Sequence, residues 1–292
     1  MTRTFYQKII IVSFLLAVSS VSLAQQSVKN GFVKTSGGKL YYEVAGKGEE
    51  SLVMIHGGQM DRRIWDEQFA LFAKNYKVIR YDVRGYGKTG APAKVYSNVG
   101  ELAELLRFLK VEKAYLMGLS LGGGISIDYA LEHPEAVKGL ILSAPGLSGY
   151  KYEQNEYGII EAARDEGEAK ATELWLKNPY MATAMENPAI ENRIRRLCLE
   201  NAFNWLTNPF LERPIKPPAI GRLAEIKVPI LLIIGDKDVP DMQKIADKIT
   251  ADVKDVRKEV LAGAGHIANM EKPDEFNRLV LGFLKDRKIN EQ

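Results

Sequence analysis

Short apolar runs alternate with amphipathic segments along most of the chain. The runs predict buried strands at residues 51–56, 76–82, 114–118, 137–144, 228–235 and 257–261. Between them, residues 64–74, 99–110 and the stretch after Ser120 repeat apolar positions at helical spacing, and a further helix is predicted after Pro273. Two earlier runs, at 32–35 and 40–45, predict a hairpin around Ser36-Gly37-Gly38.

This order of elements predicts an α/β fold. Strands separated by helices favour right-handed crossovers, and hence a mostly parallel, doubly wound, eight-stranded sheet with helices on both faces. The alternation stops at Gly146. Residues 147–222 show helical patterns without a clear strand, which predicts a helical cap over the strand ends. The core is therefore predicted at 25–146 and 223–292.

The first 24 residues have the layout of a secretory signal peptide. Arg3 and Lys8 form a positive start, residues 9–18 an apolar stretch, and Ser22-Leu23-Ala24 a small-residue cleavage site. A membrane anchor is the alternative, but the apolar stretch is short for a bilayer. We expect an exported protein, periplasmic or extracellular, with no stable membrane anchor after cleavage.

Charge and cysteine content narrow the possible partners. The formal net charge is +3, and it falls to about +1 without the leader, so no nucleic-acid partner is expected. Because Cys198 is the only cysteine, the chain cannot form an intrachain disulfide or a thiolate metal cluster. Cys198 lies in an apolar helical stripe and is predicted to pack in a core. No cofactor and no metal are predicted.

One serine stands between two glycines where a predicted strand gives way to a helix. In the segment Gly118-Leu119-Ser120-Leu121-Gly122, the glycines permit a tight strand–turn–helix connection that presents the Ser120 side chain. A purely structural turn is the alternative. A serine hydroxyl needs an adjacent base to act as a nucleophile.

The chain offers three histidines as that base. His133 ends a predicted helix, and His56 stands beside glycines that suggest a backbone role. His266 lies in a glycine-rich loop after the last strand, at the edge where a base facing Ser120 belongs, and is the predicted base. A carboxylate must orient it. Asp236 and Asp238 both follow the strand at 228–235, and the residues alone do not separate them.

These motifs resemble those of the α/β-hydrolase fold superfamily of capped serine hydrolases. The match covers the chain after the leader except the cap: GLSLGG resembles the nucleophile elbow, GDKDVP the acid loop and GAGHIANMEKP the histidine loop. The resemblance implies the triad Ser120, Asp238 and His266, with Asp236 in reserve. It also implies an oxyanion hole formed by the N–H groups of Gly58 and Leu121.

Two glycine patterns in YDVRGYGKTG compete with this interpretation. Gly85, Gly87 and Gly90 fit a dinucleotide fingerprint, but Ala91-Pro92 follows instead of a helix. GYGKT is similar to a phosphate loop, but Asp82 stands where its first glycine belongs. A nicotinamide-dependent oxidoreductase is therefore disfavoured, and the family resemblance implies a structural loop.

The cap supplies candidates for the substrate pocket. They are Trp175, Tyr180, Met181, Met185, Phe203 and Trp205, each with core packing as an equal alternative. Arg193, Arg195 and Arg196 could hold a substrate carboxylate, but a solvated helix face is favoured.

The expected function is hydrolysis of a small carboxylic ester or lactone by an esterase or enol-lactonase-like enzyme. The alternatives are hydrolysis of a carbon–carbon bond, amide or thioester, or a non-catalytic ligand-binding protein of the same fold. The sequence does not predict the oligomeric state.

Overall fold

One eight-stranded sheet organises the computed structural model, which describes residues 27–153, 157–201 and 209–290. The predicted leader lies outside the described residues. The strands are β1 (Lys29–Thr35), β2 (Gly38–Ala45), β3 (Ser51–Ile55), β4 (Lys77–Tyr81), β5 (Ala114–Leu119), β6 (Val137–Ser143), β7 (Ile230–Gly235) and β8 (Val256–Leu261). Their spatial order is β1-β2-β4-β3-β5-β6-β7-β8.

The sheet is antiparallel at one edge and parallel elsewhere. β1 pairs with β2, and β2 with β4, in antiparallel register, and every later neighbouring pair is parallel. All residues of β3, β5 and β7 are buried, as expected for strands covered on both faces. The predicted α/β architecture with its eight strands is therefore confirmed.

Ten α-helices accompany the strands in the described residues: α1 (Asp66–Phe72), α2 (Asn98–Phe108), α3 (Leu121–Glu132), α4 (Tyr157–Asp165), α5 (Glu168–Leu176), α6 (Ala182–Met185), α7 (Pro188–Glu200), α8 (Pro240–Asp252), α9 (Ala268–Glu271) and α10 (Pro273–Asn290). The sequence analysis did not predict α8. Its signals are Pro240 at the first helical position and buried Met242, Ile245 and Ile249 on one face.

Helices α4 to α7 lie in the segment predicted as the cap, between β6 and β7. On α7, the buried residues Ile190, Ile194, Leu197 and Cys198 form the predicted apolar stripe. Burial raises the pKa of the Cys198 thiol to about 12, so this cysteine is a packing residue. The continuation of the stripe at Ala202 and Trp205 lies outside the described residues.

No helix in the described part of the chain combines the length and the apolar character needed to cross a membrane.

Candidate active site

Ser120 stands on a strained turn between β5 and α3. Its backbone adopts φ 50° and ψ −112°, a conformation that non-glycine residues rarely take without support from their surroundings. A Cβ at Gly118 would lie 2.2 Å from the Gly122 carbonyl oxygen, and a Cβ at Gly122 would lie 2.2 Å from that of Ile55. Both positions therefore require glycine, and the turn holds the half-buried Ser120 clear of the sheet.

Backbone hydrogen bonds fix this turn against the neighbouring strand. The Ser120 N–H donates to the Ser143 carbonyl at 3.0 Å, and the Ser120 carbonyl accepts from Gly124 and Gly146 at 3.0 and 2.8 Å. The serine hydroxyl is thus presented from a backbone that is tied to both β6 and α3.

His266 is paired with Asp238. The two residues are buried, and His266 Nδ1 lies 3.0 Å from Asp238 Oδ2. The other carboxylate oxygen of Asp238 accepts the N–H of Val239 at 2.8 Å. A proton on Nδ1 serves the carboxylate, which leaves Nε2 as the unprotonated nitrogen of the neutral ring.

The structure separates the acids that the sequence left open. The Asp236 carboxylate accepts the N–H of Gly263 at 2.7 Å and so holds a surface turn. Asp241 accepts the Tyr150 hydroxyl at 3.1 Å and the Glu153 N–H at 2.8 Å. Among these three acids, the hydrogen bond with His266 is made by Asp238.

The other two histidines have structural surroundings. His56 is fully buried, its Nε2 accepts the Val83 N–H at 2.9 Å, and its Nδ1 lies 2.7 Å from the Gly57 carbonyl. Burial lowers the pKa of His56, so the ring is neutral and connects two loops. His133 is the C-cap residue of α3. Both placements agree with the interpretations made from the sequence.

Ser120 and His266 line one cavity of about 780 Å³. Gly58 and Leu121, the predicted oxyanion-hole residues, also line it. Leu121 is the first residue of α3, so its N–H has no acceptor within the helix and lies at the positive end of the helix dipole. Gln59, buried with a φ of 56°, joins Gly58 in the wall.

The cap supplies aromatic and apolar walls. Trp175, Tyr180 and Met181 line the cavity, and the Tyr180 ring centroid lies 4.8 Å from that of His266. Met185 packs against the core cluster instead. Phe203 and Trp205 lie outside the described residues. Of the four suggested cap residues that the structure describes, three line the cavity and Met185 does not.

The three cap arginines do not line the cavity within the described residues. Arg193 pairs with Glu67 at 2.7 Å, and Arg195 pairs with Glu173 at 2.5 Å. Arg196 is exposed. Arg195 and Arg196 fit the favoured interpretation, a solvated helix face, whereas Arg193 is partly buried and also donates to the Arg63 carbonyl.

Sequence reasoning missed Glu271. Its carboxylate accepts the backbone N–H groups of Gly265 and Ile267, the residues on either side of His266. Burial raises the pKa of Glu271. A carboxylate five residues after the histidine, in GHIANME, was the available signal. Glu271 holds the backbone from which the imidazole projects.

The glycine loop after β4 encloses a carboxylate of the protein itself. Asp82 accepts the Lys88 N–H at 2.9 Å and pairs with Arg62 at 2.9 Å. Gly87 has a φ of 52°, and a Cβ there would lie 2.4 Å from Asp82 Oδ2. In a phosphate loop the Lys88 N–H would face the phosphate. Here it donates to the Asp82 carboxylate instead.

Hydrogen bonds and ion pairs join the C-terminal end of α7 to the loops that follow β3 and β4. The Asn201 amide donates to Asp61 at 2.8 Å, and its oxygen accepts the Gly87 N–H at 2.5 Å. Arg63 pairs with both Asp61 and Glu200. Asp61 follows Gly58 by three residues, so the cap is bonded to the segment that carries one predicted oxyanion donor.

Within the described residues, no group of three or more His, Cys, Asp or Glu side chains is arranged to hold a metal ion.

Comparison with known proteins places the chain among hydrolases. A model of the alpha/beta hydrolase family matches residues 52–279. The chain is 29% identical over 272 residues to a 2-hydroxy-6-oxononadienedioate/2-hydroxy-6-oxononatrienedioate hydrolase of Burkholderia vietnamiensis, covering 85% of this chain and 91% of that protein. It is 25% identical over 267 residues to carboxylesterase YbfK of Bacillus subtilis, covering 87% and 86% of the two chains.

A solved structure resembles the whole described fold. The enol-lactonase from Burkholderia xenovorans LB400 superposes with a TM-score of 0.76 at 25% identity. The match covers 87% of this chain and all of that one.

Proposed function

The chain belongs to the alpha/beta hydrolase family and is a hydrolase, and on that premise we propose that it is a serine hydrolase cleaving a small carboxylic ester or lactone. The observation that carries the proposal is the placement of Ser120 on the wall of the cavity that also contains the His266–Asp238 pair.

In the proposed reaction, the Ser120 oxygen attacks the acyl carbonyl while His266 Nε2 takes the hydroxyl proton. Asp238 stabilises the imidazolium through its bond to Nδ1. The proton passes to the leaving alkoxide, which departs and leaves an acyl-enzyme. Water, activated by His266, then releases the acid and restores the serine.

Two N–H donors would stabilise the tetrahedral oxyanion. Leu121 offers the N–H at the start of α3, and Gly58 offers the second from the loop after β3. A donor of this kind contributes about 3 kcal/mol to transition-state stabilisation. Because the Leu121 N–H directly follows the hydrogen-bonded backbone of Ser120, little reorganisation of this donor accompanies the reaction.

Hydrolysis of a carbon–carbon bond is a second candidate. It is favoured by the similarity to the 2-hydroxy-6-oxononadienedioate hydrolase. The same residues would catalyse this reaction, so only the preferred substrate can distinguish carbon–carbon bond hydrolysis from ester hydrolysis. Amide or thioester hydrolysis, and ligand binding without turnover, are the remaining alternatives.

Covalent labelling combined with turnover tests the proposal. We expect a fluorophosphonate to label the wild type at Ser120, and short p-nitrophenyl esters and small lactones to be hydrolysed. Ser120→Ala should abolish labelling and lower kcat by at least about a thousandfold. Ser36→Ala, in the exposed hairpin turn, is the matched control.

Each contrary result has a definite meaning. Undiminished turnover by Ser120→Ala would refute the nucleophile. Labelling with no turnover of any ester or lactone would favour a binding protein. Turnover of a vinylogous 1,5-diketone in preference to esters would favour the carbon–carbon hydrolase.

We also propose export, with residues 1–24 removed and the product periplasmic or extracellular. The proposal is supported by the charged start, the apolar stretch and the small-residue end of the leader. Expression of the full chain followed by N-terminal sequencing should give Gln25 as the first residue. An intact N-terminus in the exported fraction would contradict it. We propose a small molecule, and not a nucleic acid, as the partner.

A further inference from the structure

Four acidic or basic residues other than His266 line the cavity in the described part of the chain. They are Arg84, Asp128, Glu212 and Arg213. Whether each one is already neutralised by the protein decides what charge a substrate meets beyond the reacting carbonyl.

Arg84 offers no free positive charge. Its side chain is 2% exposed and pairs with Glu101 at 2.6 Å. The remaining guanidinium contacts go to the Thr35 hydroxyl and to the carbonyls of Lys39 and Thr89. Every nitrogen of the guanidinium is therefore engaged, and its charge is balanced by Glu101.

Asp128 is different, because its only described hydrogen bond comes from a neutral group. The Ser148 hydroxyl donates to it at 2.8 Å, and it has no ion-pair partner among the described residues. Burial raises the pKa of Asp128 to about 6, with the charges of Glu212 and Glu132 adding to the effect and Arg222 opposing it. At neutral pH its carboxylate is mostly ionised, and no ion pair within the described residues neutralises it.

The position of Asp128 sets the distance at which that charge acts. It lies on α3 eight residues after Ser120, which is about 12 Å along the helix axis. A substrate chain of five or six carbons that extends from the serine along α3 brings its far end within about 10 Å of Asp128.

Glu212 and Arg213 do not reverse the sign of the charge that Asp128 gives to this end of the cavity. Glu212 accepts from the Asn98 amide at 2.7 Å and has no ion pair within the described residues. Arg213 is exposed at the rim and donates to the carbonyls of Phe210 and Glu212. Burial raises the pKa of Glu212 as it does that of Asp128, so the balance of this end of the cavity is negative where the pH is high enough to ionise both acids.

We infer that Asp128 is a specificity-determining residue that restricts the site to neutral or cationic substrate chains and disfavours esters bearing a second carboxylate. The inference rests on the proposed ester hydrolysis and names its substrate class. Like charges about 10 Å apart at an effective dielectric constant near 20 repel enough to lower kcat/KM about tenfold.

Four p-nitrophenyl esters of one chain length test this directly. The acyl groups are hexanoate, 6-hydroxyhexanoate, hexanedioate (as the monoester) and 6-(trimethylammonio)hexanoate. The hydroxyl compound separates charge from polarity. At pH 8 the wild type should hydrolyse the hexanedioate ester with a kcat/KM about tenfold below that of the 6-hydroxyhexanoate ester, and the cationic ester at least as well as the hydroxyl one.

Asp128→Asn keeps an oxygen for the Ser148 hydroxyl and removes the charge. It should bring the hexanedioate and 6-hydroxyhexanoate values within about twofold of each other. Glu112→Gln, an exposed acid outside the cavity, changes net charge equally and should leave the wild-type ratio intact.

A measurement on the wild type needs no variant. The ratio of the two kcat/KM values should widen as pH rises from 5 to 8, because Asp128 ionises near pH 6. Any pH dependence of the shared catalytic step affects both esters equally and cancels in the ratio.

Equal kcat/KM values for the two esters in the wild type, or an unchanged ratio in Asp128→Asn, would overturn the inference while leaving ester hydrolysis standing. Absence of Ser120-dependent turnover of the hexanoate ester would instead overturn the proposed function and the inference with it.

Discussion

The side-chain amide of Asn201 donates a 2.8 Å hydrogen bond to the buried carboxylate of Asp61. Asn201 is the C-cap residue of α7, and Asp61 lies in the loop that follows β3. One bond thus joins the end of a cap helix to the loop that carries Gly58. The position of α7 and the geometry of the loop that carries Gly58 are therefore coupled through this bond.

Asn201→Ala should destabilise the protein and loosen the cap. It removes a hydrogen bond to a buried charge, so the free energy of unfolding should fall by about 2 kcal/mol. KM should rise, since the cap forms one wall of the cavity. Denaturant unfolding and ester kinetics measure the two effects. Asn192→Ala, exposed on the same helix, should change neither; an equal loss there would show a general effect on α7.

Stability should depend on the ionisation of Asp61. Burial alone would raise the pKa of Asp61, but hydrogen bonds from Arg63 and Asn201 and the charge of Arg63 outweigh it and lower the pKa from 3.8 to about 2. A lowered pKa stabilises the folded state above the unfolded-state value, and this stabilisation is lost as pH falls through the folded-state value.

The matched comparison is the wild type against Asp61→Asn. At pH 6 the wild type should be more stable by about 2 kcal/mol, and the difference should shrink between pH 4 and pH 2. Urea unfolding at several pH values measures it. A difference that stays constant down to pH 2 would mean that the carboxylate charge does not stabilise the fold.

Two neighbouring acids should differ sharply in their effect on turnover. Asp238→Asn removes the charge that stabilises the imidazolium, and kcat should fall by about a thousandfold or more. Asp236→Asn should leave kcat within a few-fold, because Asp236 bonds to the Gly263 N–H and not to His266. Steady-state kinetics with one ester decide between them. The reverse order would place the orienting acid at residue 236.

Glu271→Gln should lower turnover without altering substrate binding. Glutamine keeps one acceptor for the two N–H groups that flank His266, so the imidazole loses part of its backbone support. We expect kcat to fall about tenfold with KM nearly unchanged. Glu275→Gln, exposed four residues further along the chain on α10, is the control. A rise in KM alone would indicate a general change in cavity shape.

Two glycine substitutions should have opposite effects. Gly122→Ala places a Cβ 2.2 Å from the Ile55 carbonyl oxygen and should cost about 3 kcal/mol or more through overpacking. Gly282→Ala lies inside α10 with no atom within 4 Å of the added Cβ. It should raise stability by about 0.5–1 kcal/mol through helix propensity. Thermal unfolding of both variants measures this, and tolerance of alanine at residue 122 would contradict the close approach.

The sequence by itself determined the fold class and the order of the strands along the chain, and it predicted a cap at residues 147–222. These follow from local signals: continuous apolar runs for strands that are buried on both faces, helical periodicity between them, and the loss of strand signals after Gly146. Helix α8 was not predicted because its apolar face, which is formed by Met242, Ile245 and Ile249, is short.

The residues alone left Asp236 and Asp238 open and the family resemblance implied Asp238; the tertiary structure shows the hydrogen bond between Asp238 and His266, while Asp236 accepts the Gly263 N–H. It also decided the roles of Glu271 and Asn201, and the unbalanced charge of Asp128. Each of these depends on partners far away in the chain or on the absence of a compensating charge across a cavity. Periodicity and motif spacing describe one segment at a time, whereas pairing and electrostatic balance arise when distant segments meet.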